Sequence, residues 1–177
     1  DLYLIRRPDP SWWFFYYNPL TSNNNHYIIT SGSASLTYGN NGLTFKGTVK
    51  QDTLIKNNIL TLPQDYIVEL TVTSRTSASG SPAYGGFVFD KFLIDFGVKT
   101  IIYDFNPATG VFNKLLEINY QVSNGDVLKF EMKNGTMKTY INNTLIVTNN
   151  ISQNGLHYFR TYHDRSLTVK ELKVHEL

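Results

Sequence analysis

The residues best equipped for chemistry stand together in one stretch, Leu156 to Arg165 (LHYFRTYHDR), which holds His157, Tyr158, Arg160, Tyr162, His163, Asp164 and Arg165. On a strand, alternate side chains share a face, so Tyr158, Arg160 and Tyr162 line up. Aromatic rings beside planar donors and acceptors suit a ligand with one apolar side and many hydroxyls, which is the chemistry of a sugar ring. Tyr158, Arg160, Tyr162 and His163 are the leading candidates, with His157 and Asp164 beside them. Tyr84 and Tyr103 are expected at the rim of the same cleft. Trp12 and Trp13 are adjacent, so on a strand they point to opposite faces and one is free to stack on a ring. A structural role for each remains open: Tyr158 in the core, Arg160 paired with Glu131 or Asp104, and a buried Trp closing one end of the fold.

Other chemistries find less support. The chain has no cysteine and no Gly-x-Ser-x-Gly turn for a nucleophile. Its four histidines, His26, His157, His163 and His175, lack the close spacing that places two ligands on one zinc ion. The nearest acidic set, Asp90, Asp95 and Asp104, is spread over three candidate strands. Calcium accepts loop carboxylates and carbonyls, so it is the one ion left room for, with these three aspartates and Asp164 as donors. No cofactor is required.

The elements that must position these residues read as strands. Around Asn134-Gly135, Leu128, Phe130 and Met132 alternate with Lys129, Glu131 and Lys133, and Met137, Thr139 and Ile141 alternate with Lys138 and Tyr140. Asn134-Gly135 and Asn142-Asn143 suit turns with positive φ, so Gly125 to Val147 is a three-stranded meander. Asn134, Asn142 and Asn150 also head Asn-x-Ser/Thr sequons in these turns. Ser33 to Gly47 forms a second hairpin with its tip at Gly39–Gly42, pairing Leu36 and Tyr38 with Phe45 and Leu43. Asp1 to Arg6 reads as an edge strand, Asp52–Ile55 and Ile59–Leu62 as short strands, and Tyr66–Ser74 as a long one. Tyr84–Asp90, Phe92–Phe96, Lys99–Phe105, Val111–Val122, Leu156–Tyr162 and Leu167–Val174 follow. No window carries a helical apolar period.

Composition agrees. Aromatic residues make up 14% and charged residues 17% of 177 residues, a balance that favours strands and polar turns. The expectation is all-β: a single domain over residues 1–177, built as a two-sheet antiparallel sandwich of about a dozen strands. A net charge of +2 with no basic run gives no nucleic-acid footprint. No apolar run is long enough to insert in a membrane as a helix. Beginning at Asp1 with no signal-peptide core, the chain is expected to be a processed protein or an excised domain.

The order of these features resembles the concanavalin A-like lectin/glucanase superfamily, in the branch of laminin-G-like and carbohydrate-binding modules. The likeness runs through SLTYGNNGLTFKG, Gly85-Gly86-Phe87-Val88-Phe89, Gly125 to Glu131, Met137 to Leu145 and Leu167 to Val174. It implies a jelly-roll sandwich and a rim calcium site in some relatives. The Glu-x-Asp-x-x-Glu strand of the family's glucanases is missing. The resemblance therefore implies a non-catalytic module that recognises a carbohydrate or glycoprotein on a cell surface. Its setting would be extracellular, on a cell or virion surface, as a microbial adhesin or as the receptor-binding domain of a viral or phage fibre. In such a setting it would be one part of a larger multidomain or trimeric assembly. A diverged glycoside-active enzyme and a protein-interaction or structural domain are the alternatives.

Overall fold

A computed structural model describes residues 14–77 and 83–177. Asp1–Arg6 and the Trp12-Trp13 pair lie outside them. The described chain starts with β1 (Tyr16–Asn18) and β2 (Tyr27–Ser31), then the hairpin β3 (Ala34–Gly39) and β4 (Gly42–Gly47), and then β5 (Thr53–Asn57). The long strand β6 (Tyr66–Thr76) leads to four shorter ones, β7 (Ala83–Phe89), β8 (Phe92–Gly97), β9 (Thr100–Asn106) and β10 (Val111–Ile118). The meander follows as β11 (Val127–Lys133), β12 (Thr136–Ile141) and β13 (Thr144–Asn150). The last two are β14 (His157–Thr161) and β15 (Ser166–Glu176).

They form two antiparallel sheets. One runs β13-β12-β11-β6-β15-β4-β3 with β1 also on β15, and the other runs β10-β9-β8-β7-β14-β5-β2. This is the expected two-sheet jelly-roll sandwich, with fifteen strands described where about a dozen were expected. β2 is among those added. The expected strand at Ile59–Leu62 is instead a loop. The Asn57 side-chain oxygen accepts from the Ile59 and Leu60 amides, which ends the sheet pairing there.

The alternation read from sequence decides which faces meet. Tyr66, Val68, Leu70 and Val72 of β6, Phe130 and Met132 of β11, and Leu172 and Val174 of β15 are all buried. They pack on Phe87, Phe89, Phe92, Phe96 and Phe159 of the opposite sheet. Tyr27, Phe159 and Phe45 stack in sequence, with ring centroids 4.6 and 4.8 Å apart. Each buried ring of this size contributes about 2–3 kcal/mol of hydrophobic stabilisation.

The turns also follow from local chemistry. Asn134 and Gly135 (φ 52° and 75°) and Asn142 and Asn143 (φ 50° and 65°) hold two successive positive φ values, the type I′ condition. The Asn142 side chain is further tied, donating to Asp126 Oδ1 and accepting from the Val127 amide, both at 2.9 Å. The β3–β4 turn places its positive φ on Gly42 (107°), where a Cβ would sit 2.0 Å from the Val169 carbonyl oxygen. Only glycine fits that approach.

Candidate functional site, a groove on the seven-stranded sheet

Pairing registers lay the outward side chains of the seven-stranded sheet in rows. One row reads Leu54, Arg160, Gly86, Asp95, Ile101 and Glu117 across β5, β14, β7, β8, β9 and β10. The next reads Lys56, Tyr158, Val88, Leu93, Tyr103 and Lys114. Side chains opposite one another in a ladder share a face, so these rows line a single surface.

The second row is apolar and buried at its centre. Tyr158 (8% exposed) packs with Leu54, Val88, Leu93 and Phe105 into a small cluster separate from the main core. The first row is polar at its centre. Arg160 donates from Nη2 to Asp52 Oδ1 at 2.7 Å and from Nη1 to Asp95 Oδ2 at 3.2 Å. This pairing replaces the expected partners Glu131 and Asp104, since Glu131 lies on the other sheet and Asp104 faces away on β9. Arg160 and Asp95 are largely covered, whereas Asp52 is nearly half exposed. Burial pushes the Asp95 carboxyl above its usual range, and the Arg160 and Arg165 guanidinium groups oppose that shift.

The β9–β10 hairpin folds back over this surface. Gly110 at its end lies with Ser31, Asp52 and Leu54 beside Arg160. The Phe112 ring comes to 5.0 Å from the Arg160 guanidinium and packs edge-on against Tyr103, with centroids 5.1 Å apart. The result is an open groove of about 460 Å³ whose lining includes Asp95, Lys99, Tyr103, Phe112, Arg160 and Arg165. A narrow pit continues from it between Asp52, Gly85, Arg160, Tyr162 and Arg165.

The expected site residues divide accordingly. Arg160 and Tyr103 line the groove and Tyr162 the pit, whereas Tyr158 is buried in the small apolar cluster and lines neither. His163 and Asp164 stand in the β14–β15 turn, paired with each other at 3.3 Å, and line neither space. His157 faces the core, fully buried; its ring contacts Phe89 and Phe159 and its nitrogens bond Tyr27 Oη and the Val88 carbonyl at 2.9 Å each. Tyr84 is likewise a core residue, whose hydroxyl accepts from Arg75 and Gln121. Trp12 lies outside the described residues.

The three aspartates considered for calcium are not brought together. Asp90 is buried, accepting from Tyr66 Oη at 2.5 Å and from the Asn154 and Gly155 amides at 2.6 Å. Asp95 is committed to Arg160, and Asp104 lies at the far end of β9 with Lys91, Asn106 and Asn113. Among the described residues no group of three or more acidic or histidine side chains forms a metal site. Asp90, Asp95 and Asp104 therefore do not share one cluster of donors.

Sequence reading missed Asp52, Lys99, Phe112 and Glu117. Each lies far along the chain from Arg160, on elements brought over it only by the sheet order and the folded-back hairpin. Phe112 carried one local signal, an aromatic residue in an edge strand exposed along its length.

No protein-family model and no curated protein matches the chain. Solved structures do. A carbohydrate-binding module, CBM66 from Bacillus subtilis, superposes with a TM-score of 0.67 at 15% identity, covering 89% of this chain and 100% of that one. A Bacillus subtilis protein of unknown function with a galectin-like fold gives 0.70 at 10% identity, covering 92% and 96%. A prokaryotic β-1,3-1,4-glucanase (lichenase) derived from a mouse hindgut metagenome gives 0.64 at 6% identity, covering 92% and 99%. Likeness at these identities defines the fold, a concanavalin-like and galectin-like β-sandwich. Among the described residues no helix is long and apolar enough to cross a membrane.

Proposed function

We propose that this chain is a non-catalytic carbohydrate-binding module and that its site is the groove on the seven-stranded sheet. The observation that carries the reading is the union, in one open groove, of the Tyr103–Phe112 aromatic wall with the Arg160–Asp95 pair, which Asp52 braces from the adjoining pit. Aromatic rings cover the C–H side of a sugar, while a guanidinium held between two carboxylates presents fixed donors and acceptors to hydroxyls. That a structural neighbour is itself a carbohydrate-binding module supports the reading. The wider setting we propose is extracellular, as an adhesin or a fibre domain that attaches a larger assembly to surface glycans.

One observation favours a second reading. Asp95 is a groove carboxyl whose acidity is weakened by burial, the property required of a glycosidase acid. Hydrolysis of a bound oligosaccharide that disappears in Asp95→Asn would favour the enzyme.

The deciding experiment is a glycan-array screen of the purified protein, with and without a calcium chelator, alongside Phe112→Ala and Arg160→Ala. Phe112 is an exposed edge-strand residue, so its removal leaves the core intact. Selective binding that is unaffected by the chelator and weakened about tenfold in Phe112→Ala is expected. A blank array, or binding indifferent to both substitutions, would overturn the proposal.

A further inference from the structure

The charged side chains of the groove are unevenly committed. Arg160 is held by two carboxylates, and Lys99 meets Glu117 at 3.4 Å. Arg165 differs. Among the described residues its guanidinium has no ion pair, and its Nε is buried without a hydrogen-bond partner. Yet it is firmly placed. The Tyr162 ring lies 4.6 Å from the guanidinium and supports its plane. The Arg165 amide donates to the Tyr162 carbonyl at 3.1 Å, and the Arg165 carbonyl accepts from Gly47 at 3.2 Å and from Thr161 Oγ1 at 2.8 Å.

Arg165 also lines both the groove and the pit, so it stands where the two meet. The buried Nε is out of a ligand's reach, but the Nη groups are not buried in this way, and a guanidinium partly withdrawn from water with no carboxylate of its own is stabilised by an incoming anion that meets them. Its planar fork matches a carboxylate with two parallel hydrogen bonds, a match that a lone hydroxyl lacks. The carboxylates that share its two linings are taken, Asp52 and Asp95 by Arg160 and Glu117 by Lys99 and Lys114, and Asp164 beside it in the chain meets His163.

We propose that the groove selects saccharides bearing a carboxylate, of the uronic-acid type, and that Arg165 is the residue that reads the acidic group. This rests on the carbohydrate-binding reading of the same groove. The sugar ring lies against Tyr103 and Phe112 while its carboxylate meets Arg165 where that side chain faces the open groove. Arg160 positions the polar centre and does not supply the anion contact, because its charge is already matched by the Asp52 and Asp95 carboxylates.

The test is a set of immobilised neutral oligosaccharides and uronic-acid oligosaccharides (galacturonate, glucuronate and mannuronate), with each acid also present as its methyl ester. The chain, Arg165→Gln, Arg165→Lys and Lys133→Gln, a lysine on β11 of the other sheet, are compared, and thermal melts establish that each variant is folded. An acid is expected to bind about tenfold or more tightly than its ester. That preference should vanish in Arg165→Gln, return in part in Arg165→Lys, which restores charge without the fork, and persist in Lys133→Gln. Equal binding of acid and ester, a preference for neutral glycans, or a preference that survives Arg165→Gln would overturn the assignment while leaving the module reading intact. No binding to any glycan would remove both.

Discussion

The Arg160 guanidinium meets the Asp95 carboxylate at 3.2 Å although the two residues sit on strands that do not pair. β7 runs between them, and the residue in register with both is Gly86. The missing side chain leaves the corridor through which Arg160 reaches across. A Cβ at Gly86 would come within 2.5 Å of the Ile94 carbonyl oxygen and 3.0 Å of Asp95 Oδ1. Gly86→Ala is therefore expected to destabilise the fold by about 2 kcal/mol and to weaken glycan binding, because Asp95 must move. Urea denaturation and a binding titration on the same sample check both effects.

The polar centre should respond unequally to loss of each member. Arg160→Ala leaves Asp95 covered and unpaired and is expected to cost about 2–3 kcal/mol. Asp52→Ala removes a half-exposed partner and should cost about 0–1 kcal/mol. Denaturation midpoints that rank the two substitutions the other way would show that Asp52 anchors the arginine.

Acid should weaken the fold through His157. Burial lowers its pKa from 6.5 to about 4, with the Val88 carbonyl bond opposing. The unfolded chain therefore takes up a proton at a higher pH than the folded one. The stability is fully present above pH 6.5, declines as pH falls and is lost by about pH 4, a change of about 3 kcal/mol. Asp95 acts in the opposite sense: its raised pKa favours the protonated folded form, so acidification relieves its burial. Urea midpoints across this range are expected to drop on the acid side, and His157→Gln should flatten the profile.

Asp90 offers a contrast between structure and chemistry. It holds Tyr66 and two backbone amides at the β7–β8 turn, with φ at 58°. Asp90→Ala strands those three donors and is expected to cost about 3 kcal/mol. Glycan affinity of the folded variant should be unchanged, since Asp90 faces away from the groove. A matching loss of affinity at full stability would place it in the site.

Much of this was legible along the chain. The alternation at Tyr66–Val72 and Leu128–Met132 picked out the core faces, because period-two patterning has one stable reading when one side meets water. Asn134-Gly135 and Asn142-Asn143 marked their turns, because few residues tolerate two successive positive φ values. Tyr158 and Arg160 were correctly placed on a shared face by the same alternation, and His157 by that logic belonged on the other.

What the linear order left open was the company each face keeps. Glu131 and Asp52 are equally acidic on paper; the strand order puts one on the opposite sheet and the other against Arg160. Phe112 reaches the groove because its hairpin folds back, a result of packing that no local propensity encodes. By itself the sequence determined strands, turns and the inward or outward sense of each side chain, all of which depend on neighbours within a few residues. Only the tertiary structure decided that Asp52, Asp95, Phe112 and Arg165 surround Arg160, because burial and pairing between distant segments are settled when the two sheets close.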